Sequence, residues 1–171
     1  MFFAKGVLRA GDLGYGALAA AWLFGMVAGS VLIARKLPPR RLASAALLAA
    51  VGGGAAVTVA AAMPNVVIAA TAFFAGGVAN GVENVSVRSL IHHSVPDELT
   101  GRVFAAYSGL AAGTQIGATA LGGALLGAVG ARGSLFVAGL GGAAVGLLGL
   151  ARYSRLPREI RAPTTRGTTG R

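Results

Sequence analysis

A single carboxylate, Glu83, lies in Val66–Ile91, a stretch made mostly of apolar and small residues. If the stretch is helical, Glu83 sits about 12 Å from its Ile91 end at 1.5 Å per residue. Asn80, Asn84 and Arg88 recur at i, i+4 and i+8, which puts them on one helix face. A carboxylate in such surroundings can take up and release a proton, or recognise a cation. The other reading is structural, a carboxylate fixed by hydrogen bonds between helices. Arg88, close to the helix end, reads as a gate or anchor whose long stem reaches the interface, with a substrate contact as the second reading. Gln115 forms another polar point, near the middle of the uncharged stretch Val103–Ala131 and flanked by Thr114 and Thr119. Substrate contact and an interhelical hydrogen bond both fit it. His92-His93 beside Asp97-Glu98 invites a metal reading. No second ligand cluster accompanies the pair, so no metal site is expected.

These groups must be positioned by helices inside lipid. Leu13–Ala34, Leu42–Val82, Val103–Ala131 and Gly133–Ala151 contain no charged residue. Stretches of about 20 apolar residues match the roughly 30 Å hydrocarbon core of a bilayer. Hydrophobic residues make up 55% of the chain and charged ones 12%, a membrane composition. The expectation is an all-α integral membrane bundle of five transmembrane helices at about 13–34, 42–62, 66–91, 103–130 and 134–151. Pro64-Asn65 marks a tight turn between the second and third. Val95-Pro96-Asp97-Glu98 marks a loop and a new helix start, with acids in its first turn. Residues 1–12 read as the remnant of an outer loop and not as a signal peptide, because Lys5 follows Phe2-Phe3 with no apolar region before it. Residues 152–171 read as a basic, disordered cytoplasmic tail. Its arginines would lie against anionic lipid.

Six glycine pairs are spaced four apart: 25/29, 77/81, 109/113, 113/117, 123/127 and 142/146. Chance placement of 28 glycines in 171 positions gives about five, so the spacing supports close helix packing without naming a partner.

The net charge of +10 is distributed as topology demands rather than as a nucleic-acid footprint. Lys36, Arg35, Arg40 and Arg41 fall between the first two spans. Arg88 and Arg102 fall around the third-to-fourth loop, and six arginines follow residue 151. The opposite side holds only Lys5, Arg9 and Arg132. The positive-inside rule then places the N-terminus outside and the C-terminus in the cytosol of a cell-membrane protein. There are no cysteines, and no nucleotide-binding loop, Ser-His-Asp arrangement or zinc motif is present. An enzyme is therefore not expected, and no cofactor is implied.

The stretch from Asn80 to Ile91, NGVENVSVRSLI, and the following HHSVPDELTGRVFA from His92 to Ala105 resemble one segment of the major facilitator superfamily. It is the segment joining the tenth and eleventh helices, and the similarity is to the enterobactin-exporter and macrolide-efflux-like branch. The resemblance implies that the five spans are helices 8 to 12, the C-terminal half of the fold. It also implies that the first half and most of helix 7 are missing. Gly29 and the Arg35-Lys36 and Arg40-Arg41 cluster match the family's basic cytoplasmic signature. Its aspartate has no counterpart, since Leu37-Pro38-Pro39 stands there. The implied activity is proton-coupled efflux of drug-like or siderophore-like molecules by alternating access around a midplane site. Glu83, Asn80, Asn84, Gln115 and Thr114 are the candidate substrate or coupling residues, and Arg88, Arg102 and Asp97 the candidate cytoplasmic gate. The expected partners are the bilayer, a small-molecule substrate, and either a second transporter half or another copy of the chain. The alternative is a non-transporting scaffold or assembly subunit, or an inactive transporter remnant.

Overall fold

The computed structural model describes residues 11–33 and 36–157. Every regular element among them is helical. Helix α1, Gly11–Ala28, runs on into one π-helical turn, Gly29–Ile33. A 3-10 turn, Pro39–Arg41, then leads into α2, Leu42–Ala62. Proline at 38 and 39 cannot extend a preceding helix but suits a helix start. The turn closes with the Arg41 amide donating to the Pro38 carbonyl at 2.9 Å. Helix α3 is Val66–Ser94, and α4 is Asp97–Arg155. Asn65 caps α3, its side-chain oxygen accepting from the Val67 amide at 2.8 Å. Asp97 and Glu98 occupy the first turn of α4, where negative charge suits the helix dipole.

Four helices are long and apolar enough to cross a membrane. The expected span 42–62 coincides with α2. The expected span 66–91 extends three residues further, to Ser94, so His92 and His93 are helical rather than part of a loop. The expected spans 103–130 and 134–151 lie within one element that starts earlier and ends later. At 59 residues, α4 would be about 88 Å long if straight, nearly three bilayer cores. It is not straight. Gly130 adopts φ 70° and ψ 176°, a region that essentially only glycine occupies, and the helix bends there. The helix persists through Arg155, past the boundary at 152 where the tail was expected; the rest of that tail (158–171), the outer-loop residues 1–10, and residues 34–35 with Arg35 lie outside the described residues.

The helices pack through absent side chains. α1 and α3 run parallel, with Gly25 of α1 and Gly29 of the π-helical turn against the backbone of Phe74 and Val78. Reciprocally, Gly77 and Gly81 of α3 lie against the Trp22 and Met26 carbonyls. Ser30 adds a polar stitch, its hydroxyl lying 2.8 Å from the Met26 carbonyl and 3.4 Å from that of Gly81. α2 and the last part of α4 run antiparallel. Gly54 meets Gly139 and Ala143, Gly146 meets Val51, and Gly149 meets Leu47. Arg132 donates to the Met63 carbonyl at 3.4 Å, a cation at the end of α2 where the dipole favours it.

The interior is correspondingly small-sided. Leu18, Leu42, Val82 and five alanines form the buried apolar set. Phe24, Leu23, Leu110, Ile116, Leu140 and Leu148 lie outside and exposed. Large apolar groups outside and alanine and glycine inside is the arrangement that lipid, rather than water, favours. Residues 97–129 of α4 are set apart from this packing. Every residue from Ser108 to Leu121 is exposed, and a Cβ added at Gly109, Gly113, Gly117 or Gly123 would meet nothing within 4 Å.

Candidate functional site

An open cavity of about 420 Å³ is bounded by α1, α2, α3 and the last part of α4. Glycines shape it. Gly54 and Gly139 let α2 and α4 close together at its wall, and Gly76 lets α3 lie against the Trp22 ring; the backbone of Gly53, Gly141 and Gly142 completes the lining. Val57 and Val145 make other parts of the wall apolar.

Two of the candidate residues, Asn80 and Glu83, line this cavity, and they do so because they are nearly one turn apart on α3. Asn84 sits behind them. Its amide nitrogen donates to the Asn80 carbonyl at 2.9 Å and to the Asn80 side-chain oxygen at 3.1 Å. That bond engages the acceptor of the Asn80 side chain and leaves its NH2 group available at the cavity. Glu83 is half-buried and makes no hydrogen bond or ion pair to any described residue. An unpaired carboxylate in an apolar wall is costly, and it is stabilised by a proton or by a cation.

Trp22 is the wall residue that sequence reasoning overlooked. Phe73 sets its orientation, with ring centroids 6.1 Å apart in an edge-on arrangement. A signal was present: Trp22 is the only tryptophan and stands mid-span, whereas membrane tryptophans concentrate at the interfaces.

The remaining candidates are elsewhere. Thr114 and Gln115 are exposed on the uncovered stretch of α4 and do not line the cavity. The Thr114 hydroxyl donates to the Ala111 carbonyl at 2.9 Å, and that of Thr119 to the Gln115 carbonyl at 2.8 Å. Arg88 is exposed near the end of α3, and Asp97 and Arg102 are exposed at the start of α4. These three therefore share one end of the molecule without reaching Glu83. His92 and His93 are exposed with ring centroids 5.9 Å apart.

Two further polar groups escape simple pattern reading. Ser86 is fully buried and its hydroxyl has no partner, as has the buried Nε of Arg132 among the described residues. No protein-family model, curated protein or solved structure matches the chain.

Proposed function

We propose that the chain is a transport bundle of the major facilitator type, equivalent to the C-terminal half of that fold, acting in proton-coupled efflux of small amphiphilic molecules. The observation that carries this reading is the open cavity between four apolar helical segments, lined by a carboxylate without a partner among the described residues. Glu83 can alternate between a proton and cargo, which is the exchange that antiport requires.

Five crossings are part of the proposal. Only two residues separate the end of α3 from the start of α4, while Arg132 of α4 meets Met63 at the opposite end of α2. Residues 97–129 must therefore travel the length of the bundle, and the bend at Gly130 starts the return. The distribution of arginines supports an outside N-terminus and a cytosolic C-terminus.

The test is reconstitution of the full chain in liposomes with an imposed proton gradient. Gradient-driven movement of an amphiphilic dye is expected, and Glu83→Gln should reduce it at least tenfold. Flux equal to that of empty liposomes would remove the transport reading.

The second reading, an assembly subunit, is favoured by one observation. Ser108, Gln115 and Thr119 are exposed on a helix that nothing covers. In lipid such polar groups are stabilised by a protein neighbour, either an opposing half or another copy. Cysteines introduced at these positions should cross-link to such a neighbour, since the natural chain contains none, and the liposome flux separates the two readings.

A further inference from the structure

We infer that residues 97–129 of α4 dock on the same stretch of a second copy of this chain, the two helices lying side by side and parallel about a two-fold axis along the membrane normal. The inference rests on the assembly reading of this stretch and names the neighbour.

Spacing marks one line on the uncovered helix. Ala105, Gly109, Ala112, Ile116, Thr119 and Gly123 recur at alternate steps of four and three, the repeat that keeps one seam turned towards a neighbouring helix. All six are exposed, and a Cβ added at Gly109 or Gly123 would meet nothing within 4 Å. Leu110, Leu121 and Leu125 fall on the opposite side of the helix. Small groups towards a helix and large ones towards lipid is the division that the packed part of the bundle already shows. Ser108 and Gln115, seven residues apart, flank the line, where a neighbouring helix satisfies their hydrogen bonds.

Charge identifies the occupant. The same line runs back by a step of three to Arg102 and a step of four to Glu98. Both are exposed, and neither makes an ion pair with a described residue. Asp97 stands about 100° round the helix from Glu98 and lies off the line. No other charge follows until Arg132. A face with one carboxylate and one guanidinium a turn apart is complementary to itself. In a parallel pair each Arg102 stands about 6 Å along the axis from Glu98 of the other copy, within reach of its long side chain. An antiparallel pair would set both charges against uncharged helix. Copies inserted in the same direction are related by an axis along the membrane normal, which gives the parallel arrangement and presents the same patch from both sides.

The experiment uses the purified full chain in liposomes, where another copy is the only protein neighbour. The natural chain has no cysteine, so single cysteines report contacts directly. Disulfides between like positions are expected at Ala105, Ala112, Ile116 and Thr119, and at least tenfold less at Ala118 and Leu121. Like joining like at several depths requires parallel helices. Self-association is then read by energy transfer between labelled copies. Glu98→Arg and Arg102→Glu should each weaken it about 2- to 30-fold, and the double variant Glu98→Arg/Arg102→Glu should restore it. Gln115→Leu should weaken it about 3- to 30-fold.

Equal cross-linking on both sides of the helix overturns the inference, as does a silent seam in liposomes. A double charge variant as weak as the single ones overturns it too. Failure of the assembly reading looks different. Seam cysteines that are silent in liposomes but join a heavier protein in the membranes of expressing cells keep that reading and remove the second copy. Silence in both settings removes both.

Discussion

The contact between α1 and α3 depends on glycine at specific positions, and Gly77→Ala tests it. A Cβ at Gly77 would meet the Trp22 carbonyl oxygen, and would stand 3.0 Å from its carbonyl carbon and 3.1 Å from the Met26 amide nitrogen. Carbon atoms rest at about 3.5–4.0 Å and the carbonyl oxygen stands closest of all, so the helices must part by about 1 Å or more. Neither neighbour is a flexible side-chain tip; both are backbone, and the movement must come from whole helices. A gap of about 0.5–1 Å forfeits a quarter to a half of the dispersion energy along a contact. In lipid that energy is a main source of attraction between helices, since no hydrophobic drive exists there. Overpacking of this kind costs about 1–3 kcal/mol. Alanine is also a better helix former than glycine by up to about 1 kcal/mol, which would mask part of the loss. Gly113→Ala supplies the correction, because a Cβ at Gly113 meets nothing within 4 Å and only the propensity gain applies. The difference between the two variants isolates the packing contribution, expected at about 1–3 kcal/mol in favour of Gly113→Ala. Helicity followed through a denaturing-detergent titration measures it. Coincident midpoints for the two variants would refute the proposed seam.

Other substitutions probe separate parts of the fold. Asn65→Ala removes the oxygen that accepts from the Val67 amide and should destabilise the chain by about 1 kcal/mol in the same titration. Ser86→Ala removes a fully buried hydroxyl without a partner and should be neutral or stabilising, by up to about 1–3 kcal/mol; a clear loss would show that the hydroxyl is satisfied in the membrane. Gly130→Ala forces a side chain into a backbone region reserved for glycine and should cost about 1–3 kcal/mol, read as a lowered midpoint. Glu83→Gln should leave that midpoint unchanged or raised, because it replaces an unpaired carboxylate with a neutral amide of similar shape.

Much of the helical layout was legible because lipid imposes simple rules on sequence. The uncharged run from Leu42 is broken at Pro64-Asn65, and the chain turns there, with Asn65 as the cap. Pro96 and the two acids mark the helix start at Asp97, while the absence of charge marks a span only from Val103, after Arg102. Helices can carry charge beyond the apolar core, so the absence of charge marks the lipid-embedded part and not the end of the helix. Gly130 looked like one more glycine among 28. Its role depends on a positive φ, which spacing does not encode.

The glycine pairs show most clearly where one-dimensional reading stops. Six pairs share the same spacing, yet 25/29 and 77/81 interlock with each other, whereas 109/113 and 113/117 face open space. The pairs differ in what lies opposite, and that is a property of two segments at once. The same distinction governs the candidate site. Glu83 and Gln115 are both mid-span polar residues, and sequence alone gave them comparable standing. Glu83 projects from the helix packed between α1 and α2, so it can converge with Trp22 across a shared volume. Gln115 projects from the stretch of α4 that no described residue covers, so its amide meets no other described helix. One carboxylate therefore belongs to a site this chain can form by itself. In the assembly reading proposed above, the glutamine would contribute only through an interface with a protein neighbour.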